Sequence, residues 1–272
     1  MLRVIFWNVN KKDLDDYICS IAASTNADIV VLLENGVSSK KTLQSLRINV
    51  SQDFYYPKII STARERFHCF CRTPELDLSE MHSELRMSAR LLQIGRHNAL
   101  LVLIHGNDIR NHGASQRQFA TTEIADTLKL LQIQKHTNKL ILLGDFNLNP
   151  FDEGMNDARG LNAMMTKACV KSGRRTLNEK EYDFYYNPMW SLFGDNTHGP
   201  AGTIYNTSGQ GFYGWSMLDQ VVVHHSVVEF FHSVKILTEA GTKSLLSKSG
   251  HPDTNSASDH FPILVEFCEE GQ

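Results

Sequence analysis

Acids, amides and histidines recur along this chain at the ends of short apolar runs. Val4–Trp7 runs into Asn8 and Asn10, which share a face if the backbone stays extended, because strand side chains alternate. Ile29–Leu33 ends in Glu34, and Leu100–Ile104 ends in His105. Leu140–Leu143 leads into Gly144-Asp145-Phe146-Asn147, again setting a carboxylate and an amide two apart. Met217-Leu218 precedes Asp219, and Ser258-Asp259-His260 stands just before another apolar run. One acid at a strand end reads as a solvated cap or turn former. A whole set of such ends, restricted to Asp, Glu, Asn and His, points to a shared rim. Carboxylates buried together on a rim repel unless a cation or a proton neutralises them. Oxygen donors with a few imidazoles and no thiolates suit Mg²⁺ or Mn²⁺ and disfavour structural zinc. A hard ion held by few protein ligands keeps waters and open positions, as phosphoryl chemistry requires.

The elements that must position these residues follow from pattern. Val4–Val9, Asp28–Leu33, Phe67–Cys71, Leu91–Ile94, Ala99–Ile104, Leu140–Leu143, Leu218–Val223 and Pro262–Phe267 have strand length and are rich in β-branched residues. Asp13–Ser24 carries a helical stripe of Leu14, Tyr17, Ile18, Ile21 and Ala22, and Ser115–Gln134 repeats the pattern. Strands recur at both ends with helices between and no linker or repeat, which predicts one layered α/β domain over residues 1–272. Thr176–Ser216 is Gly-rich and aromatic and reads as a long loop, either functional or packed over a sheet edge. Thr242–Asn255 reads as a loop before the closing motif. His224-His225 reads as packing, since neighbouring strand residues point to opposite faces.

With a formal net charge of -3, the chain carries no global basic field of the kind that coats DNA. That leaves an enzyme open, because a bound ion supplies positive charge locally. The five cysteines form no C-x-x-C pair, so reduced thiols in a cytoplasmic protein are expected. No leader-type segment and no membrane-length apolar window is present, and no membrane anchor is expected.

At Trp7-Asn8-Val9-Asn10, Glu34, Gly144-Asp145-Phe146-Asn147, Leu218-Asp219-Gln220 and Ser258-Asp259-His260, the sequence resembles the endonuclease/exonuclease/phosphatase superfamily of DNase I-like metal-dependent phosphoesterases. The resemblance runs from residue 7 to residue 260 and implies a four-layer α/β sandwich, two mixed β-sheets flanked by helices. It implies Glu34 as principal metal ligand, with Asn8, Asn10 and Asp259 nearby. It also implies that Asp145 and Asn147 position the attacking water and the phosphate. Asp219 then holds His260 against a phosphoryl oxygen, a pairing that suits acid–base work near neutral pH. Arg64-Glu65-Arg66-Phe67 resembles the DNase I-like segment whose glutamate partners a catalytic histidine, which makes Glu65 and His105 an expected pair. The inositol 5-phosphatase signature Trp-Cys-Asp-Arg is absent; Trp215-Ser216-Met217-Leu218 stands there instead.

Three functions follow. The first is a nuclease acting on DNA or RNA, with Trp215 and its aromatic neighbours stacking on bases and Arg117 among the basic residues (Arg64, Arg66, Arg110, Arg174, Arg175) that could meet phosphates. The second is a phosphatase or phosphodiesterase of a small-molecule or lipid phosphoester. The third, a non-catalytic binding protein, is disfavoured because the carboxylates and the Asp–His pair are all present.

Overall fold

The computed structural model describes residues 1–60, 65–108, 111–195, 198–207 and 213–270. Its principal strands, in chain order, are β1 (Leu2–Asn8), β2 (Ile29–Leu33), β3 (Phe67–Cys71), β4 (Asp77–Glu84), β5 (Met87–Ile94) and β6 (His97–His105). They continue with β7 (Leu140–Asp145), β8 (Ala163–Met164), β9 (Tyr185–Tyr186), β10 (Asp219–His224), β11 (Phe231–Ile236) and β12 (Ile263–Phe267). The longer helices are α1 (Asp15–Thr25), α2 (Ser39–Asn49) and α3 (Ala114–Gln134). One mixed sheet has the order β11-β12-β1-β2-β3, and the other β4-β5-β6-β7-β10-β9-β8.

Strand alternation builds the layers. On β1, Val4 and Phe6 enter a core shared by both sheets, while Ile5 and Trp7 face the opposite way, toward α1. On β7, Ile141 and Leu143 enter the shared core, while Leu140 and Leu142 pack with Leu128 and Leu131 of α3. Each central strand is therefore apolar on both faces, which is why its sequence reads as an unbroken hydrophobic run. The outcome is the four-layer sandwich, with two mixed sheets face to face and helices outside. Cys69 and Cys71 share the inter-sheet face as their spacing implies, and all five cysteines are free thiols.

Some elements depart from the sequence reading. Helix α2 escapes a periodicity search because it buries only Thr42 and Leu46 fully. Its anchor is polar: Thr42 and Ser45 donate hydrogen bonds at 2.8 and 3.1 Å to Asp15 at the start of α1. Strand β4 is masked by its charges, yet Glu80 is buried and accepts a hydrogen bond at 2.7 Å from Ser88 on β5. The aromatic stretch 176–216 is broken by β9, by a 3₁₀ turn at Pro188–Leu192 and by the hairpin Ile204–Asn206/Gly214–Ser216. Strand β10 stops at His224, and His225–Val227 turn as a 3₁₀ helix, so the expectation of opposite faces for His224 and His225 does not hold. No helix among the described residues is long and apolar enough to cross a membrane.

Two parallel pairings fix where the strand ends fall. β1 and β2 pair in parallel, as do β6 and β7, each pair joined by a crossover containing helix. Their C-terminal ends consequently lie on common rims. Gly144 lets β7 approach β6 at this rim, because a Cβ there would sit 1.9 Å from the Ile104 carbonyl oxygen. Gly144→Ala is expected to destabilise the protein by about 2 kcal/mol or more, as overpacking against backbone does, measured as the shift in urea unfolding midpoint.

Candidate active site

The inter-sheet core turns polar in its last layer. Continuing each inward-facing row by two residues leads from Phe6 to Asn8, from Leu103 to His105 and from Leu143 to Asp145; on β10 the row runs back from Val221 to Asp219. His105 and Asp145 are register partners across β6 and β7, and Asp145 and Asp219 across β7 and β10. All four polar residues are buried. They end up together because the same alternation that fills the core aims them inward.

Asp145 is held on both oxygens. Asn8 donates from Nδ2 to its Oδ2 at 3.1 Å, and the backbone N–H of Asn147 donates to its Oδ1 at 2.9 Å. Asn147 takes the left-handed conformation, φ 52°, which asparagine tolerates better than most residues, and its Nδ2 donates to the Gly106 carbonyl at 3.3 Å. His260 lies 2.7 Å through Nδ1 from Asp219 Oδ2. Asp145, Asp219 and His260 each offer an atom within 4.8 Å of the other two. Burial and the nearby Asp219 carboxylate push Asp145 up to about 6, against the pull of His260 and its hydrogen bonds. Burial pulls His260 down, but the charge and hydrogen bond of Asp219, with Asp145 and Asp259 behind it, outweigh this and raise it to about 10.

The closing motif is tied to the first strand. Trp7 donates from Nε1 to the His260 carbonyl at 2.8 Å, and Ser258 donates from Oγ to the Asn8 carbonyl at 2.6 Å. Thr203 accepts at Oγ1 from the N–H groups of Leu218 and Asp219, at 3.2 and 3.1 Å, while its carbonyl accepts from Phe261 N–H at 2.8 Å. Asn149 accepts from Met217 N–H at 2.8 Å. The sequence reading missed both supports. Asn149 carries a weak signal, standing two after Asn147, whereas a lone threonine inside a glycine-rich stretch carries none.

His105 does not meet Glu65. Its Nδ1 lies 3.2 Å from Arg66 Nη1, and its Nε2 lies 3.7 Å from Glu34 Oε1. Burial, then Arg66 and Arg86, push its pKa down to about 4, so the ring is neutral at physiological pH. Glu65 instead accepts a hydrogen bond from the Tyr56 hydroxyl, and burial raises its pKa. In place of the expected Glu65–His105 pair there is an arginine–histidine contact, with Arg66 and Glu65 both partly buried and turned to different partners.

The remaining candidates divide. Glu34, at φ 53°, is partly exposed and flanked by His105 and by Lys11, whose Nζ lies 3.8 Å from Oε2. Asp259 is partly exposed beside Ser258. Asn10 donates its backbone N–H to Asn8 Oδ1 at 3.1 Å, and its residue surface is exposed. Arg117 donates to the Asn147 carbonyl at 2.9 Å and so braces the loop after Asp145. Arg174 pairs with Glu181 and Asp183, Arg175 donates to the Asn156 carbonyl, and Arg64 and Arg110 lie outside the described residues. Trp215 is half-buried beside the site, stacked with Phe261 at 6.2 Å and edge-on to Tyr205 at 5.0 Å.

The donors fit a hard divalent cation. Carboxylate and amide oxygens predominate, Asp219 Oδ1 is buried with no hydrogen-bond partner among the described residues, and the charge neighbours of Glu34 lie beyond hydrogen-bond distance. Such an ion would relieve the carboxylate crowding that raises Asp145.

The model of the Endonuclease/Exonuclease/phosphatase family matches residues 5–260, and the chain belongs to that family. Its members are hydrolytic phosphoesterases, in general dependent on divalent metal. No curated protein matches the chain significantly in sequence. Among solved structures, a Bacteroides thetaiotaomicron protein of the same family is similar with a TM-score of 0.59 and 16% identity, over 98% of this chain and 94% of that one. TDP2 from C. elegans gives a TM-score of 0.55 at 17% identity, over 98% of this chain and 75% of its own. A mannosyl-6-phosphatase from Bacteroides thetaiotaomicron gives 0.56 at 15% identity, over 98% and 99%.

The Asp219–His260 pair ties stability to pH. Because His260 is raised from 6.5 to about 10 by folding, its contribution is complete below pH 6.5 and is lost as pH rises through 10. In metal-free buffer the melting temperature is expected to fall across that window, and Asp219→Asn to flatten the fall; parallel curves for the two proteins would refute the pairing.

Proposed function

We propose that this protein is a divalent-metal-dependent phosphodiester hydrolase that cleaves nucleic acid. The observation that carries the hydrolase reading is the buried convergence of Asp145, Asp219 and His260 at one rim. Glu34 would hold the ion, joined by Asn8 and Asp259, and a bound Mg²⁺ or Mn²⁺ would polarise the phosphoryl oxygens and lower the charge barrier to attack. Asp145, oriented by Asn8 and Asn147, accepts a proton from the attacking water. His260, kept protonated by Asp219, donates to a phosphoryl oxygen as negative charge builds there. His105 stays neutral and presents Nε2 on the Glu34 side.

Support for a nucleic-acid substrate comes from the aromatic hairpin. Ile204 bridges to His260, Trp215 stacks on Phe261, Tyr205 stacks on His251 at 3.5 Å, and Tyr213 is 72% exposed. Flat rings beside the phosphate site suit stacked bases. A second reading, a phosphatase of a small phosphoester, is favoured by Arg66 and Arg86 flanking His105, a compact cationic pair suited to a terminal phosphate. The phosphatase activity named for one structural neighbour agrees with it.

Purified protein incubated with labelled single- and double-stranded DNA and RNA, with Mg²⁺, Mn²⁺ or EDTA, tests the choice. Cleavage that needs metal is expected, and Asp145→Ala and His260→Ala are each expected to lower kcat by about 10²–10⁴-fold. Activity that survives both substitutions would overturn the site. Turnover of phosphomonoesters with every nucleic acid left intact would move the assignment to the phosphatase. Trp215→Ala is expected to weaken oligonucleotide binding by roughly ten-fold, the effect of losing one stacked base at about 1–3 kcal/mol, as read from KM.

A further inference from the structure

Strand β10 starts at Asp219 in the candidate active site and ends at His224, roughly 17 Å away at about 3.3 Å per residue. A second set of metal-ligating groups gathers at this far end. Asp183, His224 and His225 each offer an atom within 4.8 Å of the other two. The turn that begins at His225 brings its ring to 4.2 Å from that of His224, centre to centre. Gly173, at φ 79°, leaves the space: a Cβ there would come within 3.1 Å of the His225 ring.

His224 is fully buried, and its ring is held from behind. Nδ1 lies 2.8 Å from Ser226 Oγ, and that hydroxyl donates to the Asn138 carbonyl at 3.0 Å. With its proton committed to the carbonyl, the Ser226 oxygen accepts from Nδ1–H. Nε2 then turns its lone pair toward Asp183 Oδ2, 3.3 Å away. A lone pair facing a carboxylate oxygen is repulsive, and a cation between them makes the contact attractive. A metal-bound imidazole is usually supported by a hydrogen-bond acceptor behind its far nitrogen, and the Ser226 hydroxyl, itself tied to a carbonyl, takes that place here. Arg174 takes the other side of the carboxylate, with Nε 3.9 Å from Oδ1, which leaves Oδ2 to the imidazoles. The reverse polarity, with Ser226 N–H donating to Nδ1 at 3.3 Å and Nε2–H donating to Asp183, is the metal-free alternative.

We propose that Asp183, His224 and His225 form a second cation site, selective for a borderline ion of the zinc class. Two imidazoles and one carboxylate suit zinc, whereas the oxygen-rich rim at the other end of β10 suits a hard ion. The ion clips the hairpin Arg174–Leu177/Lys180–Asp183 to the end of β10. The proposal is independent of the catalytic reading.

Calorimetric titration of chelator-stripped protein with Zn²⁺ tests it, alongside the visible spectrum of the Co²⁺-loaded protein. Zinc is expected to bind and to raise the melting temperature. His225→Ala and Asp183→Asn are each expected to weaken that binding by at least the roughly ten- to hundred-fold that losing an outer-shell partner costs and to remove the thermal shift, with circular dichroism confirming that both variants fold. Asp145→Asn, at the other rim, is expected to keep the event. Absence of zinc binding, or equal binding by parent and both variants, would overturn the site and leave the metal-free polarity. Loss of the event in Asp145→Asn alone would assign the zinc to the other rim, and the proposal would fall.

Discussion

Two carboxylates, Asp145 and Asp219, stand as register partners at the end of an apolar core, and the His260 imidazole answers their charge. The cost of burying like charges side by side is large unless something positive is placed among them. Much of the surrounding structure follows from that requirement. The chain end carrying His260 must be pinned to the first strand, which Trp7 and Ser258 accomplish. Asp219 must be held at the start of its strand, which Thr203 accomplishes. Asp145 must be oriented without being fully neutralised, which the two asparagines accomplish. A divalent ion would complete the balance, so the chemistry this family performs and the electrostatics of the rim ask for the same charge.

How much was legible in the sequence depends on which physical rule carried each residue. Asn8, His105, Asp145 and Asp219 could be read because alternation is a local rule, and each extends an apolar row by one inward step. Their convergence also needed the parallel pairings, which single-chain patterns do not reveal. Glu65 was misplaced because its segment leaves two adjacent charged residues to choose between, and a one-residue difference exchanges the inward and outward faces. Both residues are partly buried, and only their contacts tell them apart, with Arg66 at His105 and Glu65 at Tyr56. The partner of Arg117 in the fold, a backbone carbonyl thirty residues away, could not be read either, because a basic helix residue has no local mark of what it meets. Helix α2 hid because its anchor to α1 is a hydrogen-bonded aspartate, and periodicity searches see only apolar faces.

The two ends of β10 make a useful contrast. Both gather an aspartate and imidazole, yet Asp219 and His260 sit in a row that ends the inter-sheet core, whereas Asp183 and His225 are partly exposed at a hairpin and a turn. The first setting favours proton and charge management at a buried rim. The second favours a ligand that staples surface elements to the sheet. The same residue types thus take different work according to burial and to what lies behind each ring.

The tie between Trp7 and His260 spans 253 residues of chain. Contacts so distant along the sequence form late, because the loop they close must surrender its entropy before they give anything back. The rim cannot be assembled in a half-finished chain, since its first and last strands are neighbours only when everything between them has been laid down. A chain emerging during synthesis thus lacks the His260 imidazole that answers the charge of Asp145 and Asp219. It meets the electrostatic demand of the site only at the moment of closure, so the assembled rim and completion of the fold arrive together.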